Sequence, residues 1–174
     1  MKKIIKKLKG EDLRSIGKVQ EVVLEILENP SLFDEVFRGI VYNDPVVRMR
    51  ASDAIEKVSR LHPEYLAPYK YELIKELSRI EQQEVRWHVA QMFSYLELEE
   101  VERKEIIELL ASWLDSEKSK IVKVNSMQTL ASFAEKDDKN RPFIIQKIKE
   151  AMDDGSPALI NRGNKLLSKL RSKR

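Results

Sequence analysis

The chain has 174 residues, 42% hydrophobic and 35% charged, with a formal net charge of +3. That length predicts one domain with enough apolar material for a core, and five glycines in a mixed-charge chain argue against disorder. It has no cysteine, which excludes disulfides, thiol catalysis and thiolate metal sites and fits a reducing, cytoplasmic location. No stretch approaches the roughly 18 apolar residues that a membrane span needs. The start, Met1 to Lys9, is basic but lacks the apolar run and small-residue cleavage site of a signal peptide.

The charge is unevenly placed. Residues 1–10 hold five lysines and no acid, and residues 162–174 hold Arg162, Lys165, Lys169, Arg171, Lys173 and Arg174 and no acid. The body between them, 11–161, is left with a net charge of −8, so basic ends flank an acidic middle.

In chain order, residues 2–9 predict two helical turns with Ile4, Ile5 and Leu8 on one side, interrupted by Gly10. Glu11 and Asp12 then begin a helix that runs through Ile16, Val19, Val23, Leu24 and Leu27 to about Glu28. Asn29-Pro30 turns the chain into a partner helix carrying Leu32, Phe33, Val36, Phe37, Ile40 and Val41. Asn43-Asp44-Pro45 opens a helix ending near Leu61, and the element after His62-Pro63 becomes regular only at or beyond Pro68. Further helices are predicted over 84–96, 101–114, 121–133 and 142–152. Asp153-Asp154-Gly155-Ser156-Pro157 then makes a turn before a last helix from Ala158 to about Arg171. That is about nine helices and no strand.

These helices repeat. Val47-Arg48 falls 38 residues later on Val85-Arg86, then 37 later on Val122-Lys123, and 37 more on Leu159-Ile160. Below that first column lies a small or short one (Ala51, Val89, Ser126, Gly163), then Ile55, Phe93, Leu130 and Leu167, then Val58, Leu96, Phe133 and Leu170. Offsets of 0, +4, +8 and +11 trace one stripe of an α-helix. A second stripe follows each first helix: Tyr69, Leu73 and Leu77, then Ile106, Leu110 and Leu114, then Ile144, Ile148 and Met152. Each repeat is therefore a helix pair of about 37 residues.

Pairs of this length, opened by Asp-Pro-x-Val-Arg-x-x-Ala-x-x-Ala-Ile at Asp44 to Ile55, resemble HEAT repeats, over about residues 11–171. The resemblance implies an all-α, right-handed superhelix of four to five helix pairs spanning 1–174. Its parts would be a basic arm (1–10), a capping repeat (11–43), three repeats (44–80, 81–117, 118–154) and a basic capping helix (155–174). It also implies that Arg48, Arg86 and Lys123 form a ladder of polar contacts between adjacent repeats, and that the second helices line a concave face.

The sequence offers little catalytic chemistry. His62 and His88 are the only histidines, lie in different repeats and have no His-x-x-x-His or His/carboxylate spacing, so neither a metal site nor any other cofactor is expected. His88 shares a polar column with Arg50, Asn125 and Arg162, which predicts a solvent-facing side chain. Trp87 shares a mostly apolar column with Met49, Val124 and Asn161, which predicts packing between repeats. No phosphate loop or nucleophile elbow appears.

The expectation is a non-enzymatic protein-binding module or scaffold with an unidentified protein partner. Tyr71, Lys75, Trp87, His88, Lys104 and Glu108 are its candidate contact surface. Two alternatives stay open. One is nucleic-acid or anionic-lipid binding through the basic ends. The other is a DNA-glycosylase-like HEAT repair protein, which would need Trp87 or a nearby acid such as Asp53. The expected state is a monomer or a weak end-to-end dimer through Ile4, Ile5 and Leu8.

Overall fold

A computed structural model describes residues 3–153 and 155–172. Met1 and Lys2 of the basic arm, Asp154 of the expected turn, and Lys173 and Arg174 of the basic end lie outside them. The described residues form ten α-helices and no strand: α1 (Lys3–Lys7), α2 (Val19–Glu28), α3 (Leu32–Arg38), α4 (Pro45–Leu61), α5 (Lys70–Lys75), α6 (Gln83–Phe93), α7 (Glu100–Ser116), α8 (Lys120–Ala134), α9 (Arg141–Met152) and α10 (Pro157–Ser172). The chain is all-α and divides into two compact units, Met1–Leu96 and Glu97–Arg174. The boundary falls between the two helices of the expected repeat 81–117.

In the first unit α4 is central, packing on α2, α3 and α6. It starts where the sequence predicts because Asp44 accepts hydrogen bonds from the free N–H groups of Val46 (2.8 Å) and Val47 (3.4 Å), and Pro45 needs no donor at the first helical position. Val47, Ala51, Ile55 and Val58 are fully buried along its inner stripe, as are Val85, Val89 and Phe93 along α6. Ala51 is small for a steric reason: a Cβ added at Gly39 would stand 3.0 Å from that of Ala51, so the turn after α3 presses directly on α4.

The second unit repeats the scheme. α8 packs on α7, α9 and α10, and α10 also packs on α9. Val122, Ser126 and Leu130 are fully buried, and at Gly163 of α10 a Cβ would enter the Met152 side chain at 2.3 Å. Glu99 and Glu102 form a reciprocal capping box at the start of α7, and the Ser119 hydroxyl accepts from Val122 N–H at the start of α8.

Several expectations are corrected. The helix predicted from Glu11 begins only at Val19, and 11–18 is irregular, with Gly17 at φ +53° and Leu13 and Ile16 exposed. That segment is taken by Arg50. The Arg50 side chain is buried, Nε donates to Ser15 O (2.9 Å), Nη1 donates to Lys9 O (2.6 Å), and longer contacts reach Leu8 O and Asp12 O. A helix over 11–18 would consume the Asp12 and Ser15 carbonyls internally. Ile4, Ile5 and Leu8 are buried within the first unit, where α1 packs on α2 and α3, so they offer no free apolar surface for end-to-end pairing. After Pro63 the expectation holds: the chain runs as short 3-10 turns (Pro63–Tyr65 and Ala67–Tyr69) and becomes regular only at α5, from Lys70, because each proline lacks the N–H that a continuing α-helix requires.

Candidate functional site

Between α4 and α6, inside the first unit, lies a group of buried polar side chains. Asp53 and Glu56 sit one turn apart on α4, and His88 on α6 comes across to meet them, with 5%, 3% and 9% of their surfaces exposed. One potential ligand atom from each lies within 4.8 Å of the others. His88, expected in solvent because its column is polar, is thus buried, and so is Arg50 in the same column. Arg50 and His88 are buried because they reach partners across the helix packing, Arg50 taking loop carbonyls and His88 facing α4. Arg162, by contrast, is exposed and donates from Nη1 to Gln128 Oε1 at 2.9 Å, and Asn125 Nδ2 donates to Ile121 O of its own helix.

The hydrogen bonds define the cluster's protonation. His88 Nδ1 lies 3.2 Å from Gln91 Oε1, an acceptor, so Nδ1 carries the proton and Nε2 presents its lone pair. Burial holds the imidazole down to about 4, against the counter-pull of Asp53, so the ring is neutral near pH 7. Nε2 stands 3.9 Å from Asp53 Oδ1, too far for a hydrogen bond. Lys57 pairs with that same oxygen, while Asp53 Oδ2 is buried without a partner. Glu56 Oε1 accepts from Tyr95 Oη at 2.6 Å, and Oε2 lies 3.3 Å from Arg60 Nη2. Tyr95, half-buried, is held well above the usual tyrosine range by burial and then by this bond.

Trp87 is half-buried beside His88, with ring centroids 5.6 Å apart. Of the other candidate contact residues, Tyr71 is 69% exposed on α5 and Lys75 is half-buried there. Lys104 and Glu108 are exposed on α7 and approach each other at 3.9 Å. The structure therefore brings Trp87 and His88 together and leaves Tyr71, Lys75, Lys104 and Glu108 outside the buried group. Asp53 was singled out in sequence only as a neighbour of Trp87, and Glu56 and Tyr95 not at all. Asp-x-x-Glu on one helix face was the available signal, but Glu is common enough in this chain to hide it.

Arg48 spans two turns. Nε donates to Gln82 Oε1 just before α6 (2.7 Å), Nη1 donates to Tyr42 O just before α4 (2.9 Å), and Gln82 Nε2 returns a bond to Pro45 O (2.9 Å). Arg86 Nε donates to Ile80 O in its own preceding turn (3.1 Å), and Lys123 is buried in α8.

The second helices are stapled within each unit by opposite charges. Arg38 on α3 pairs with Glu72 on α5, and Lys147 on α9 with Asp115 on α7 at 3.0 Å. Tyr69 Oη donates to Asp34 Oδ1 at 3.0 Å, and burial, then this bond, pushes the phenol up to about 12. A folded value above the unfolded 10.0 makes this contribution complete below pH 10 and lost as pH rises towards 12. Ultraviolet titration should therefore show two late tyrosines, one near pH 12 and a later one from Tyr95, and Tyr69→Phe should remove the earlier of the two. An unchanged number of late tyrosines in the variant would assign the pH 12 component elsewhere.

Among the described residues no helix is long and apolar enough to cross a membrane. Comparison with protein-family models, with curated proteins and with solved structures returned no match. Function has to be read from the residues themselves.

Proposed function

We propose that the protein is a non-enzymatic binding module, a HEAT-like solenoid of helix pairs that holds a partner protein on its second-helix side. The observation that carries this reading is a recurrent one. Tyr71 on α5, Val101 on α7 and Phe143 on α9 are exposed apolar side chains, each in the first turn of a second helix. Single exposed apolar residues are ordinary, but α5, α7 and α9 each carry one in the opening turn, at different register positions, and the buried stripes require none of them. Lys104 and Glu108, on the same helix as Val101, would give that anchor a polar rim, as interfaces commonly do. The partner this suits is a protein chain offering apolar side chains among mixed charges.

A second reading, binding of nucleic-acid phosphates, rests on a surface cavity of about 410 Å³ lined by Lys3, Lys6, Lys7, Lys9, Gly17, Lys18 and Arg50. Lys7 is paired with Glu21 and Glu25, Lys18 approaches Glu21, and Arg50 is spent on loop carbonyls, which reduces the free charge there.

The test is affinity capture from a host lysate at low and high salt, with nuclease treatment. A protein retained through nuclease, and at least about ten-fold depleted by Tyr71→Ser with Phe143→Ser, is the expected result. Both residues are exposed, so the variants should keep wild-type stability within about 0.5 kcal/mol. Recovery of nucleic acid alone, lost at high salt, overturns the reading in favour of the lysine cavity.

A further inference from the structure

We propose that Asp53, Glu56 and His88 form a binding site for a divalent first-row transition-metal ion, with three protein ligands and the remaining coordination positions open to water. Three observations meet at this place. The ligand atoms converge from two helices to within 4.8 Å of one another. Metal–ligand bonds of about 2.0–2.2 Å put neighbouring ligand atoms roughly 3–4 Å apart, so small side-chain rotations close the set. His88 Nε2 faces Asp53 Oδ1 at 3.9 Å without a hydrogen bond, and the Lys57 ammonium on that same oxygen shows that the place already draws positive charge. Asp53 Oδ2 is buried and has no partner, an arrangement that costs stability unless something answers it.

The surrounding groups have the form of an outer shell. His88 Nδ1–H is fixed by Gln91 Oε1, which sets the tautomer and aims Nε2 at α4. Tyr95 Oη orients Glu56, and Lys57 holds the other oxygen of Asp53. A purely structural account, in which the carboxylates only answer Lys57 and Arg60, explains one oxygen of Asp53 and leaves Oδ2 and Nε2 unexplained. One imidazole with two carboxylates and no sulfur suits Zn²⁺, Co²⁺, Mn²⁺ or Fe²⁺. Ca²⁺ and Mg²⁺ prefer about six oxygen ligands or waters and should bind at least ten-fold more weakly. Lys57 and Arg60 already balance the two carboxylates, so Lys57 competes with the ion.

The experiment is calorimetric titration of the chelator-treated full chain with Zn²⁺, paired with Co²⁺ absorption spectra. One ion per chain is expected, with a rise in Tm. Binding should fall at least ten-fold in Asp53→Asn, Glu56→Gln and His88→Asn, fall about 10- to 100-fold in Gln91→Ala, and stay unchanged in His62→Asn. Lys57→Met should bind more tightly, an outcome that a merely structural ion pair would not give. Absence of saturable one-to-one binding by the wild-type chain overturns the proposal without any variant. Binding that survives in His88→Asn places the ion elsewhere and overturns it equally. If His88→Asn fails to fold, Gln91→Ala and Lys57→Met decide: weaker and tighter binding, respectively, support the site, and no change in either removes it.

Discussion

Replacing Arg50 with alanine is expected to lower stability by about 3–4 kcal/mol and to free residues 9–18 from α4. Hydrogen bonds from a charged donor contribute about 1.5–3 kcal/mol each. Arg50 makes two short ones, to Lys9 O and Ser15 O, and two long ones that add little. No carboxylate among the described residues shares the guanidinium, so the loop carbonyls are what make its burial tolerable. The glycines report the same contact. A Cβ at Gly10 would stand 2.4 Å from Arg50 Nη1, and one at Gly17 would stand 2.6 Å from it. Gly17→Ala should therefore cost about 1 kcal/mol for the left-handed backbone plus a further 1–2 kcal/mol for the displaced guanidinium. In an Arg50→Ala background only the backbone part should remain. Urea denaturation of the two single variants and the double variant measures this directly. Strict additivity would mean that Gly17 does not pack on Arg50. Limited proteolysis within 9–18, rising in Arg50→Ala, reports the released segment independently.

Arg50 also shows where the sequence stopped being legible. Apolar columns were readable because burial follows spacing. Val47, Val85, Val122 and Leu159 share one column, and all four are fully buried. Asp44-Pro45 was readable because a cap acts locally, on the N–H groups two and three residues on. The segment 11–18 was not, because its acids favour a local helix while two of its carbonyls are claimed by a side chain 35 and 38 residues away. The buried polar group failed for a related reason. Polarity of a column was taken as exposure, yet His88 is polar and buried because its partners lie on the neighbouring helix, not in its own sequence window.

Phe93→Ala should be the most damaging single truncation on α6, at about 4 kcal/mol, within the usual range for a buried phenylalanine. Phe93 is fully buried at the end of α6, in the same column as Ile55 of α4, and the two helices pack against each other. Val89, one turn back, is stiff at χ1, and the chain beyond Phe93 leaves the helix at once, so the helix itself offers little to refill the space. Phe93→Leu, which keeps most of the volume, should cost no more than about 1.5 kcal/mol, and Ile55→Val about 1 kcal/mol. Urea midpoints with an unchanged slope would attribute these losses to packing. A cost below about 1.5 kcal/mol for Phe93→Ala would mean that this column is loosely packed. The contrast with Gln91→Ala then separates the two faces of α6. Gln91 touches His88 and fills no core, so its loss should alter the imidazole and its ligand while costing only about 1–3 kcal/mol for the unpaired ring nitrogen, less than Phe93→Ala. The face bearing Val85, Val89 and Phe93 holds α6 in place, and the face bearing His88 and Gln91 is free to carry chemistry.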